Sequence, residues 1–146
     1  MALLEALKKD HNEVKKLLDR ILDEDDGGKR KTLFDQMAAA LTAHSHAEDK
    51  VFYSALKQKG EEEKELALEG EEEHALVEQL LTGLKRSGRV ESNSWQARCK
   101  VLKDLVEHHV EEEESEFFKA ARKDFDKSEL DKMGKQFQEL KQKELA

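Results

Sequence analysis

The sequence predicts an all-α protein, an up-down-up-down antiparallel four-helix bundle with an additional short C-terminal helix, and three observations carry that expectation. The 146 residues contain no proline, and 41% of them are charged, with Leu, Ala, Glu and Lys dominating, a balance that favours helices over strands. Three glycine-containing polar stretches, DEDDGGKRK at 23–31, KQKGEEE at 57–63 and KRSGRVESNS at 85–94, cut the chain at points short enough to join antiparallel neighbours. Between them the apolar residues recur in steps of three and four over segments of roughly 20 to 30 residues, the length of bundle helices.

The first segment carries Leu4, Leu7, His11, Val14, Leu18 and Ile21 on one stripe, so His11 points into the core. The second gives Leu33, Met37, Leu41, His44, Glu48 and Phe52, with Ala40, Val51 and Ala55 widening the stripe. His44 and Glu48 therefore stand one turn apart on the buried side. In the third, Gly70, His74, Val77, Leu81 and Leu84 form the seam, and in the fourth Cys99, Leu102, Val106, His109, Glu113 and Phe117 do, again with a His and a Glu one turn apart. A fifth, shorter segment, DKSELDKMGKQFQEL, has Ser128 as a candidate cap and Leu130, Met133, Phe137 and Leu140 as its stripe. The expected division is a bundle over 1–122 and, over 123–146, an amphipathic helix packed on the bundle or on a protein partner.

The same periodicity assigns the remaining polar residues. His46 falls about 200 degrees round the helix from His44 and reads as exposed. His108, Glu111, Glu112 and Glu114 read as surface or margin, Glu78 as a flank or an extra ligand, and Tyr53 as a surface or rim residue ahead of one that takes part in redox chemistry. Cys99 is the sole cysteine, which excludes an intrachain disulfide and a thiolate zinc site and fits a small core residue.

Six polar residues on four apolar seams need a ligand. An unpaired buried carboxylate costs about several kcal/mol, against a total stability of about 5–15 kcal/mol for a domain. Imidazole with carboxylate suits divalent first-row metals, with iron, manganese and zinc as the choices. Two glutamates from different helices can bridge two ions. The four imidazoles then supply two nitrogens to each, His11 joining one helix's pair and His74 the other, and an octahedral ion keeps an open position for a small molecule.

The stretches KKDHNEVKKLL, LTAHSHAEDKVFYSAL, EEEHALVEQLL and LVEHHVEEEESEFFKAA together resemble the hemerythrin-like, or HHE cation-binding, domains. These are four-helix bundles whose first and third helices each give a His and whose second and fourth give His-x-x-x-Glu or a close variant. The resemblance covers residues 1–122. It implies a non-haem diiron centre with His11, His44, His74 and His109 as terminal ligands and Glu48 and Glu113 as bridges. The cofactor it implies is two iron ions with an oxo or hydroxo bridge, ahead of manganese or zinc. Oxygen-carrying hemerythrins have a further His one turn before the third-helix ligand and usually an Asp in the last carboxylate position; here those positions hold Gly70 and Glu113. Gly70 reads either as a close-packing or helix-start glycine or as an opening for water or substrate beside the metals.

The expected function is binding of dioxygen or a related small ligand for storage, transport or sensing. The alternatives are a diiron oxidoreductase acting on peroxide or nitric oxide, and an iron-handling or regulatory protein acting through the fifth helix. The net charge of -8 argues against nucleic acid and anionic membranes as partners. Charges at Glu5, Lys8, Lys9 and Asp10 interrupt what a signal peptide would need, so a cytoplasmic location is expected. No Ser or Cys sits in a strand-to-helix elbow, and no glycine-rich phosphate loop is present.

Overall fold

The computed structural model describes residues 1–146 and contains helices and no strands. Helix α1 (Leu3–Asp23) is followed by α2 (Gly27–Glu48), which continues through a π-helical turn at Asp49–Tyr53 into α3 (Ser54–Leu56). Helix α4 (Glu61–Ser87) returns, and α5 (Asn93–Glu112) runs through a second π turn at Glu113–Phe117 into α6 (Phe118–Asp124). These make the four members of the bundle. Helix α7 (Lys127–Leu145) lies across α1 and α2. No helix is long and apolar enough to cross a membrane.

The turns are shorter than the polar stretches suggest, because polar side chains at their edges start helices. Asp26 caps α2 by accepting from the Lys29 N–H at 2.8 Å, so Gly27 and Gly28 are already helical. Ser92 caps α5 through the Trp95 N–H at 3.1 Å. For α7 the cap is Asp126, not Ser128: Asp126 and Glu129 form a reciprocal capping box at 2.8 and 3.1 Å, which places Ser128 inside the first turn. Arg30 is buried and donates to the carbonyls of Ile21, Glu24 and Val90, which ties the α1–α2 turn to the α4–α5 turn.

The interior has two apolar cores with a polar layer between them. One core gathers Leu18, Ile21, Phe34, Met37, Leu84, Trp95 and Leu102 with Cys99, whose thiol burial pushes up to about 11. The other gathers Leu3, Leu7, Phe52, Tyr53, Leu56, Phe117, Phe118 and Phe137. Helix α7 belongs to this second core: Phe137 is fully buried, and a Cβ at Gly134 would lie 2.2 Å from the Met1 carbonyl oxygen, so only glycine permits the crossing over the start of α1.

The π turns explain which side chains reach the polar layer. Each follows a His-x-x-x-Glu stretch, and each has a backbone bond spanning five residues, from the Ser54 N–H to the Asp49 carbonyl and from the Phe118 N–H to the Glu113 carbonyl. That wider turn stacks residues five apart instead of four. Hence Val51, Phe52 and Tyr53 are all buried in succession, as are Phe117 and Phe118.

Candidate metal centre

The structure brings His11, His44, Glu48, His74, His109 and Glu113 together between the two cores, and all six are buried. They form two groups of four, His11, His44, Glu48 and Glu113, and Glu48, His74, His109 and Glu113, with donor atoms within 4.8 Å of one another in each. Glu48 and Glu113 belong to both. The pairing is thus His11 with His44, and His74 with His109.

All four imidazoles turn Nε2 inward. His11 Nε2 lies 3.2 Å from Glu113 Oε1, His44 Nε2 3.6 Å and His74 Nε2 3.1 Å from Glu48 Oε1, and His109 Nε2 3.2 Å from Glu113 Oε2. Despite these short separations, His11 Nε2, both Glu48 oxygens and Glu113 Oε1 have no aligned hydrogen-bond partner. Their lone pairs converge on shared points instead of on one another, an arrangement costly for buried polar groups and suited to a cation.

The outward nitrogens are held by a ring of carboxylates. His44 Nδ1 donates to Asp10 at 2.8 Å, His74 Nδ1 to Asp49 at 2.7 Å, His109 Nδ1 to Glu73 at 2.6 Å, and His11 Nδ1 to Glu114 at 2.8 Å. Every one of these acids is the sequence neighbour of an inward residue: Asp10 of His11, Asp49 of Glu48, Glu73 of His74, Glu114 of Glu113. The support therefore passes from α1 to α2, to α4, to the α5 π turn and back to α1. Such a carboxylate fixes the tautomer and orientation of a metal-binding imidazole and raises its basicity.

The electrostatics lead to the same demand for positive charge. Burial pulls each imidazole's pKa down, but the carboxylates overcome it: Glu48 and Asp10 raise His44 to about 9, Asp49 and Glu48 raise His74 to about 9, and Glu113 and Glu73 raise His109 to about 11. His11 is raised by Glu113 and Glu114. Burial pushes the Glu113 carboxyl up, yet its close neighbours Glu48, His109 and His11 hold it well below the usual carboxylate range. A cluster that draws protons onto four buried imidazoles is one where divalent cations can take their place. The residues present therefore fit a metal centre.

One expectation needs correction. Tyr53 is fully buried, not at the rim; its hydroxyl donates to Glu113 Oε2, lies 3.3 Å from His109 Nε2, and its ring stacks on His74 at 5.2 Å. Of the two readings of Gly70, close packing fits and an opening for water does not, because a Cβ there would lie 2.7–2.8 Å from the Tyr53 ring and hydroxyl: the glycine makes room for the tyrosine. Glu114, at the margin as expected, and Glu73 hold two of the imidazoles. His46 is about half-exposed and bonds Glu78 at 2.6 Å and Glu144 at 2.8 Å, so Glu78 faces away from the centre. His108 is exposed beside Glu112.

Beside the imidazoles is a largely closed cavity of about 20 Å³, with Val14, Leu41, Val77, Val106 and Val110 as the apolar part of its lining. That is room for a water molecule or a similarly small ligand and nothing larger. The cavity shares Asp10 and Val14 with an open groove of about 310 Å³ between α1, α2 and the end of α7.

Residues 2–121 match the family model described as the Hemerythrin HHE cation binding domain. The chain belongs to the hemerythrin HHE family. Its bundle resembles the crystal structure of a Hemerythrin HHE cation binding domain-containing protein from Mycobacterium kansasii, at a TM-score of 0.84 and 24% identity, covering 99% of this chain and 87% of that one. It is also 29% identical over 145 residues to a DNA nickase of Nostoc sp., which covers 98% of this chain; the chain spans 40% of that protein's length. As an HHE protein, this chain carries a His/Glu cluster able to hold metal.

Proposed function

We propose that this HHE protein holds two iron ions, one between His11, His44, Glu48 and Glu113 and the other between Glu48, His74, His109 and Glu113, and binds dioxygen or a comparably small ligand beside them for storage, transport or sensing. The observation that carries this reading is the pairing of two donor groups through shared glutamates with one ligand-sized apolar cavity. A ferrous pair supplies the electrons that make dioxygen binding possible. The valines and Leu41 exclude bulk water, and the carboxylate ring keeps each Nε2 aimed inward.

One observation favours the oxidoreductase alternative. The Tyr53 hydroxyl sits among the His74/His109 donors, and burial with Glu113 and Glu48 raises its pKa well above the usual phenol value, so it stays protonated as a hydrogen-bond donor beside that half of the site. In that reading the substrate is peroxide or nitric oxide. Nucleic acid fits the site poorly, because the donors are buried, the cavity excludes a phosphodiester, and the chain carries a net charge of -8.

The test is the visible absorption of protein loaded anaerobically with ferrous iron as oxygen is admitted and withdrawn. A charge-transfer band that comes and goes over several cycles supports reversible binding. A band that persists or decays to a stable oxidised form moves the protein to the oxidoreductase reading. Failure to take up iron, or nicking of supercoiled plasmid by the loaded protein, overturns the proposal.

A further inference from the structure

The four carboxylates that hold the imidazoles are not equivalent. Only Asp10 has a cationic side chain against it: Lys141 Nζ of α7 lies 2.7 Å from Asp10 Oδ1, while Asp10 Oδ2 takes the His44 Nδ1–H at 2.8 Å. Asp10 is also the most buried of the four, at 7% exposure against 14% for Glu73, 26% for Glu114 and 32% for Asp49. The others keep a face to water, which can satisfy their second oxygens; Asp10 has Lys141 in that role. The same helix touches His44 directly, with the Phe137 ring edge-on at 5.4 Å, and the Lys141 ammonium lies 5.6 Å from the Phe137 ring centre. All of this comes from residues beyond 121, outside the stretch that matches the family model.

We propose that Lys141 is a positioning residue for the metal centre: it fixes the Asp10 carboxylate in the orientation that aims His44, so that metal binding at the His11/His44 position depends on the docked C-terminal helix. This rests on the two-ion reading above. The ammonium acts through geometry. It occupies one carboxylate oxygen, which leaves the other no rotational freedom and with it denies the His44 ring an alternative setting. Phe137 blocks the ring from its exposed side. The His74/His109 position has no contact of this kind with α7.

The experiment is stepwise titration of the full-length metal-free protein with cobalt(II) against a competing chromophoric chelator, in wild type, Lys141→Met and Lys141→Arg. Methionine keeps an unbranched stem over Phe137 and removes the charge, and circular dichroism with amide exchange across 127–145 confirms that α7 remains docked. One of the two binding steps is expected to weaken about tenfold in Lys141→Met, the scale of lost outer-shell support. The other step is unchanged, and Lys141→Arg restores the pattern. Two wild-type-like steps in Lys141→Met, or equal weakening of both, overturns the role of Lys141 while leaving the two-ion reading intact. A wild type that binds a single cobalt ion overturns that reading and the inference with it.

Discussion

The two halves of the centre have the same donors and different surroundings. The His11/His44 half is roofed by α7, with Asp10 buried and paired to Lys141 and with Phe137 on His44. The His74/His109 half has no such roof, and Asp49 and Glu73 reach water there; its distinguishing feature is Tyr53, brought in by a π turn and accommodated by Gly70. A near-symmetric donor set thus has one half covered by α7 and one with a phenol at hand. The difference teaches that what distinguishes the two positions lies in the side chains behind the donors.

Breaking what the halves share should have the largest effect. Glu113→Gln removes a charge common to both donor groups and leaves the Tyr53 hydroxyl at most a neutral acceptor. The variant should bind neither ion tightly, a loss of at least about a hundredfold seen by calorimetry. Retention of one wild-type site would show that Glu113 serves only one half. The supporting acids separate the halves: Asp10→Asn should weaken one metal-binding step and Asp49→Asn the other, each by about 10–100-fold, and the double variant should show both defects. Loss of the same step in both variants would contradict the pairing of His11 with His44.

Smaller effects sharpen the contrast. Gly70→Ala should destabilise the fold by about 1–3 kcal/mol in thermal unfolding, through overpacking against Tyr53, and should perturb the visible spectrum of the iron-loaded protein as Tyr53→Phe does. Identical spectra for wild type and Tyr53→Phe would remove the phenol from the account. The metal-free protein should also respond to pH in a set direction. His44, His74 and His109 have folded-state pKa values of about 9, 9 and 11, above the ordinary imidazole value of 6.5. Their stabilisation is fully present below about 6.5 and is lost as pH rises through the folded values. Unfolding midpoints without metal should therefore fall between about pH 7 and 10, most clearly towards the upper end, while metal affinity rises as protons leave the imidazoles.

The inward donors were legible because each lies on a stripe of ordinary α-helical period up to the residue where a π turn begins. Glu48 ends α2 and Glu113 opens its π turn, so their spacing from His44 and His109 is still that of an α-helix. Tyr53 closes such a turn, five residues after Glu48, and an α-helical period puts it on the wrong face. Gly70 could not be interpreted without it. The supporting acids left a signal that periodicity alone does not weigh: the doublets Asp10-His11, Glu48-Asp49, Glu73-His74 and Glu113-Glu114 each set an acid beside a seam residue. Since successive residues point about 100 degrees apart on a helix, such a neighbour reaches the adjoining helix. Lys141 had no local signal at all, because its partner is 131 positions away and the contact exists only once α7 has crossed α1 and α2.

The most direct test is the anomalous scattering of crystals of the full chain grown with ferrous iron under nitrogen. Two peaks inside the bundle, one contacted by His11 and His44, the other by His74 and His109, and both by Glu48 and Glu113, are the predicted result. A single peak, or a peak at the peripheral cluster of Glu73, His108 and Glu112 in place of the buried pair, would contradict the account.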